Sequence, residues 1–128
     1  MLGFISKIFG GSKSEKDVKK IEPLVAKINE HFTAFRSLTN DQLRNKTLEF
    51  RQRIKAHLSE IDKEIADKNA SAETLPFNDL FGKDAVYQEV DKLKKDRDKK
   101  IEEVLDEILP EAFAVVKETS RRFKENTE

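Results

Sequence analysis

Apolar residues recur every three or four positions along most of this 128-residue chain, which is the spacing of amphipathic helices. In residues 14–35 the apolar stripe consists of Val18, Ile21, Val25, Ile28, Phe32 and Phe35. Pro23 stands inside this segment. Because proline lacks an N–H and clashes with the preceding turn, it either kinks this helix or restarts it. The pattern leaves both alternatives open.

The clearest helix start in the chain lies at Thr39. Thr39 and Gln42 have the spacing of a capping box, and Leu38 and Leu43 that of a hydrophobic staple. The stripe that follows consists of Leu43, Thr47, Phe50, Ile54, Leu58, Ile61 and Ile65. This spacing predicts a second long helix that ends near Lys68.

Regular spacing stops over residues 69–83, which contain Leu75-Pro76 and Gly82, and we expect a connection there. A further helix is predicted from Asp84 to about Leu109. Its inward positions are Val86, Val90, Leu93, Ile101, Val104, Leu105 and Ile108, with Arg97 interrupting the stripe. Pro110 is well placed as the first residue of another helix.

The two predicted long helices have similar lengths, about 40 Å each at 1.5 Å per residue. Two such helices with one apolar stripe each and a short connection predict an antiparallel hairpin over about residues 40–109. The many charged residues between Asp91 and Glu103 then form its solvated face. The fold class predicted for the chain is therefore all-α, a long antiparallel helical hairpin with flanking helices.

The N-terminal segment is a short amphipathic stretch. Leu2, Phe4, Ile5, Ile8 and Phe9 fall on one arc of a helical projection, and Lys7 falls on the remainder. So short a helix needs a surface on which to fold, because nucleation is unfavourable. Two surfaces fit this segment, the long helices themselves and a membrane interface. Gly10-Gly11-Ser12 then forms a joint to the rest of the chain.

Charge and composition narrow the function classes. Net charge is zero, but residues 1–20 carry five lysines against Glu15 and Asp17, which favours contact with anionic surfaces. The absence of cysteine excludes disulfides and thiolate metal sites and suits a reducing cytoplasm. No apolar run reaches the roughly 18 residues of a membrane-spanning helix. We expect no nucleic-acid partner.

No catalytic, cofactor-binding or metal-binding residue is predicted. Gly82-Lys83 is the only Gly-Lys pair and lacks both the preceding glycine and the following Ser or Thr of a phosphate loop, so we expect an ordinary loop there. His31 and His57 stand without the partners that a metal site requires, and we expect ordinary surface or boundary histidines.

Three blocks of sequence carry a resemblance to a known family. These are Met1-Leu2-Gly3-Phe4, Leu38-Thr39-Asn40-Asp41-Gln42-Leu43-Arg44-Asn45-Lys46-Thr47-Leu48-Glu49-Phe50-Arg51, and Leu109-Pro110-Glu111-Ala112-Phe113-Ala114-Val115-Val116-Lys117-Glu118 with Thr119-Ser120-Arg121-Arg122 after it. In this order they resemble the N-terminus of SecA, the ATP-driven motor of bacterial preprotein export. Most SecA proteins join the last two blocks by a short link. The roughly 40 residues inserted here look like an extension found in SecA proteins of the Bacteroidetes group.

The resemblance implies a fragment of a larger α/β motor protein. Residues 1–12 would be an amphipathic segment and hinge, residues 13–109 a helical region with the inserted hairpin, and residues 110–128 the first helix of the nucleotide-binding domain. The family's phosphate loop lies downstream, so this part alone lacks the ATP site and should be inactive. The full-length protein would use ATP and magnesium.

The resemblance also implies partners and a location. The full-length protein would move preproteins through the SecY-containing channel, at the cytoplasmic face of the inner membrane and peripherally associated with it. The residues implied to contact the channel or anionic phospholipids are Leu2, Phe4, Ile5, Lys7, Ile8 and Phe9. Homodimerisation stays open. The alternative function is a stand-alone, non-enzymatic helical-hairpin adaptor that binds another protein.

Overall fold

The computed structural model describes residues 13–126 and contains three helices over that range: α1 (Lys13–Phe35), α2 (Asn40–Thr74) and α3 (Leu80–Glu125). No strand occurs among these residues. The predicted all-α class is therefore confirmed. Several of the predicted helix boundaries and local assignments differ from the structure.

Helix α1 passes through Pro23 without interruption, so the restart alternative is wrong. Its apolar stripe changes environment along its length. Val18, Ile21 and Val25 are exposed, whereas Phe35 is buried. Only the C-terminal half of α1 therefore contributes to the core.

The predicted start of α2 is confirmed in detail. The Thr39 N–H donates to Gln42 Oε1 at 2.9 Å, and the Gln42 N–H donates to Thr39 Oγ1 at 3.2 Å. This reciprocal pair is a capping box, which satisfies two N–H groups that a helix N-terminus otherwise leaves without partners.

The connection between α2 and α3 is shorter than residues 69–83. Helix α2 continues to Thr74 because Ala72 is fully buried, and the Ser71 and Thr74 hydroxyls donate to helix carbonyls one turn back, at 2.7 Å each. Helix α3 begins at Leu80 rather than after Asp84. The Asp79 carboxylate accepts the Gly82 N–H at 2.9 Å and thereby caps the new helix.

The predicted break at Pro110 is wrong, because α3 is one helix from Leu80 to Glu125. A proline inside a helix removes one backbone hydrogen bond and clashes with the preceding turn. Pro110 is itself buried, and Ile108 and Ala114 on either side of it are buried as well. Burial of this stretch offsets the local cost of the proline.

The chain divides into two compact units, and α2 and α3 contribute to both. Among the described residues, unit one comprises residues 13–43 and 109–126, and unit two comprises residues 44–108. In unit two the buried apolar residues are Leu58, Ile61, Ala72, Val90, Val104 and Ile108. Phe50 is half-buried, and Leu105 is exposed although its spacing predicted an inward position.

Polar pairs across unit two establish the direction of its helices. His57 lies 3.7 Å from Glu103, Asp62 lies 2.5 Å from Arg97, and Lys68 pairs with Glu89. The residue number falls on α3 as it rises on α2, so the two segments are antiparallel, as the hairpin prediction required. Arg97 interrupts the apolar stripe of α3. Its side chain forms the middle one of these three pairs, the central ion pair with Asp62.

Candidate functional site

The six residues predicted to contact membrane or channel are Leu2, Phe4, Ile5, Lys7, Ile8 and Phe9. All of them lie outside the described residues. Their role stays a prediction.

Among the described residues, the most elaborate polar cluster surrounds Glu118 in unit one. Glu118 is fully buried. Its carboxylate accepts two hydrogen bonds from Arg121, at 2.9 and 2.7 Å, and one from Arg122 at 2.7 Å. The bonds from Arg121, assisted by the one from Arg122, lower the pKa of Glu118 from 4.5 to about 2 and outweigh the opposing effect of burial.

Arg122 extends this cluster to the turn between α1 and α2. Its Nη2 donates to the carbonyl oxygens of Phe35 at 3.2 Å and Leu38 at 2.7 Å, and its Nη1 donates to Asn40 Oδ1 at 2.7 Å. The last carbonyls of a helix have no partner within that helix. The Arg122 guanidinium therefore hydrogen-bonds to the end of α1, to the turn, and to the first residue of α2.

A small apolar core lies in the same unit. Phe35, Leu43 and Ala114 are buried together, and Ile28, Phe32, Leu38 and Val115 pack against them. Lys117 Nζ lies 4.4 Å from the centre of the Phe32 ring and donates to Asn29 Oδ1 at 2.6 Å. This contact holds the cation over the aromatic face, which is an attractive geometry.

The polar cluster and the apolar core of unit one combine residues from two of the sequence blocks that carry the family resemblance. The block that begins at Leu38 supplies Leu38, Asn40 and Leu43, and the block that begins at Leu109 supplies Ala114, Glu118 and Arg122. Sequence reasoning missed the pairing of Glu118 with the two arginines. The spacing of i, i+3 and i+4 on one helix was the available signal, but it did not indicate that the carboxylate would be buried.

The arrangement around Glu118 stabilises structure and is poorly suited to acid–base chemistry. A carboxylate with a pKa of about 2 stays ionised near neutral pH. Its oxygens are also occupied by three bonds from guanidinium groups. It offers neither a proton to give nor a readily available lone pair to accept one.

Gly82-Lys83 belongs to the first turn of α3, and the expectation of a loop there is wrong. The Gly82 N–H is bonded to Asp79, and Lys83 Nζ lies 5.7 Å from the centre of the Phe77 ring. These contacts explain the pair as part of a helix cap.

Both histidines are half-buried, as expected for boundary positions. The ring of His31 lies 5.9 Å from that of Phe35. Within residues 13–126 no group of three or more His, Cys, Asp or Glu side chains is arranged to hold a metal ion. None of the helices in that range is long and apolar enough to cross a membrane.

Comparison with known proteins supplies the family. The SecA DEAD-like domain family matches residues 5–128. Among the relatives, the protein translocase subunit SecA of Cytophaga hutchinsonii is 45% identical over 98% of this chain. The corresponding subunits of Chloroherpeton thalassium and Flavobacterium psychrophilum are 42% and 44% identical over 95% of it.

These matches cover the hairpin as well as the ends of the chain, whereas the chain spans only 11–12% of the length of these three relatives. No solved structure matches the chain. A family match over nearly the whole chain, together with identities above 40%, is decisive: the chain belongs to the SecA family of protein translocase subunits.

Proposed function

We propose that this chain forms the N-terminal part of a motor that uses ATP and magnesium to drive preproteins through a SecY-containing channel. The observation that supports this most directly is the family match over residues 5–128. In this proposal unit one is scaffolding. Arg122 and Glu118 hold the end of α1 and the start of α2 against α3, and residues from Pro110 onward begin the nucleotide-binding domain.

Exposed apolar residues at the C-terminal end of α3 support that domain assignment. Phe113, Val116 and Phe123 are 53%, 63% and 77% exposed. Large apolar side chains exposed on one helix favour a contact with further protein. In the proposed motor, the remainder of the nucleotide-binding domain covers them.

Calorimetric titration of this 128-residue chain with ATP and magnesium tests the proposal that this part of the motor does not contain the ATP site. We expect no heat of binding, because these 128 residues contain no phosphate-loop motif. Stoichiometric binding at micromolar affinity would contradict the assignment. The alternative function is a stand-alone, non-enzymatic adaptor. The intact mass of the protein from its native cells distinguishes the two, since a motor subunit is several times longer than this chain.

The amphipathic N-terminal segment is proposed as the peripheral membrane contact, on the cytoplasmic side. Its apolar residues would enter the acyl boundary, while the lysines of residues 7–20 interact with anionic headgroups. Each well-placed lysine contributes about 1 kcal/mol to the attraction between the segment and the headgroups, and salt screens this attraction. Such an anchor is reversible.

Vesicle co-sedimentation tests this contact. The intact chain should bind vesicles that contain anionic lipid, should largely ignore neutral ones, and should be released by salt. Phe4→Ser with Ile8→Ser should abolish binding, whereas Val18→Ser, on the exposed stripe of α1, serves as the matched control. If the double variant binds as well as the control, the membrane assignment fails.

A further inference from the structure

Three of the four most exposed large apolar side chains on the described part of the molecule lie where unit two joins its two helices. Phe77 is 93% exposed, Phe81 90% and Leu80 72%. We call these three residues the hairpin tip. The seam of the same unit buries other residues, among them Leu58, Val90 and Val104. Folding of the hairpin therefore does not account for the three residues at its tip.

The backbone at the hairpin tip is held by specific bonds. The Leu75 N–H donates to the Ala72 carbonyl at 3.4 Å, and the Asp79 N–H donates to the Pro76 carbonyl at 3.0 Å. Asp79 then caps α3 through the Gly82 N–H. A Cβ at Gly82 would lie 2.2 Å from Asp79 Oδ2, so a larger residue there would displace the flexible Asp79 side chain from its capping position. The aromatic side chains are consequently carried by a hydrogen-bonded turn.

Aromatic residues are enriched at protein interfaces, and here they stand exposed on an ordered backbone. A backbone that is already ordered loses little further conformational entropy on binding, and more of the burial energy therefore appears as affinity. Each large apolar side chain that becomes fully buried is worth about tenfold or more in affinity.

The charges around the hairpin tip indicate the chemistry of the partner. Glu73 and Asp84 are exposed, and Asp79 lies in the turn itself. Lys83 is the one Lys or Arg among residues 73–84, and its Nζ lies 5.7 Å from the centre of the Phe77 ring. An apolar surface with an acidic border is repelled by anionic lipid and attracted to a cationic border. A helical turn that projects its side chains also needs a concave counterpart.

We propose that the hairpin tip docks into an apolar groove bordered by Lys or Arg on a separate folded protein. This contact is independent of the motor function proposed above and of the N-terminal membrane contact. Phe77, Leu80 and Phe81 would fill the groove, and the acidic residues around them would set the salt dependence of binding.

Site-specific photo-crosslinking in cells that express the full-length protein tests this proposal. A photoreactive phenylalanine analogue replaces Phe81, and in a matched control it replaces Leu48, which is also exposed and lies in unit two. We expect one discrete protein adduct at position 81 that is absent at position 48. Phe77→Ser with Leu80→Ser should reduce its yield at least tenfold, and Asp84→Lys should reduce it severalfold.

The crosslinked peptide identifies the surface that the hairpin tip contacts. The proposal holds if that surface is apolar and bordered by Lys or Arg, and if the purified partner loses affinity for the same two variants. It is overturned by adducts to lipid, to a second copy of this chain, or to another part of the same chain. Adducts shared with position 48, or none at all, overturn it equally. Circular dichroism of each variant excludes loss of folding, and vesicle binding is measured separately.

Discussion

The two units of this chain use charge in opposite ways. Unit one buries Glu118 completely and surrounds it with guanidinium groups that also hold the α1–α2 turn. Unit two keeps its ion pairs at the surface, where Asp62 and Arg97 are 46% and 34% exposed. A buried charge is costly to leave without its partners, whereas an exposed pair is screened by water and salt. Unit one should therefore be sensitive to single polar substitutions, and unit two to apolar ones.

The largest expected effect is that of Glu118→Ala. Removal of one partner of a buried ion pair costs about 3–5 kcal/mol, because the remaining charges lose their compensation. Arg121 and Arg122 would both lose a buried acceptor. Urea unfolding measures the loss, and hydrogen exchange should place it at the amides of residues 36–43. A loss below 1 kcal/mol would contradict the importance assigned to this cluster.

The low pKa of Glu118 predicts the pH dependence of stability. Its pKa is about 2 in the folded state against 4.5 ordinarily, so the ionised form stabilises the fold above pH 4.5. This contribution is lost as the pH falls from about 4.5 through 2. Glu118→Gln cannot titrate, and its unfolding free energy should therefore change less over that window. Parallel curves for the two proteins would refute this prediction.

Leu58→Ala should be the most damaging apolar substitution tested in unit two. Leu58 is 4% exposed, and such truncations cost about 2–5 kcal/mol through lost transfer energy and the cavity left behind. Leu105→Ala is the matched control, because Leu105 is 47% exposed and should cost less than about 1 kcal/mol. Equal losses in urea melts would mean that the seam does not dominate this unit.

A smaller effect is expected from Thr39→Ala, which removes one half of the capping box. The loss should be about 0.5–2 kcal/mol, since the Gln42 N–H then has only water as its partner. Thr39→Ser keeps the hydroxyl and should recover most of the stability. Thermal melts of the three proteins provide the comparison. If Thr39→Ser is as unstable as Thr39→Ala, the cap is not the cause.

The smallest effect is expected from Arg97→Ala, although Arg97 forms the central ion pair of the hairpin. The pair raises the pKa of Arg97 through its hydrogen bond to Asp62, but both groups are partly exposed and water competes with the interaction. The loss should be smaller than that of Thr39→Ala and should shrink further at high salt. A double-mutant cycle with Asp62→Ala isolates the coupling, and a large, salt-insensitive value would overturn the contrast between the units.

The sequence alone determined the helical class, the antiparallel hairpin and the start of α2, because each depends on local spacing. A period of three to four residues and a capping box are properties of one short segment. The family resemblance likewise rested on blocks of contiguous residues. Local spacing also placed Val90, Val104 and Ile108 correctly in the seam.

Tertiary structure decided what local rules could not. Pro110 and residues 69–74 carry weak helix signals, yet both stretches are helical because burial of residues such as Ala72 and Ala114 outweighs propensity. The cluster around Glu118 depends on carbonyl groups more than 80 positions away in the chain. From the sequence, Arg97 was only an interruption of the apolar stripe of α3. The structure shows that it pairs with Asp62, and local periodicity cannot reveal a partner 35 residues away.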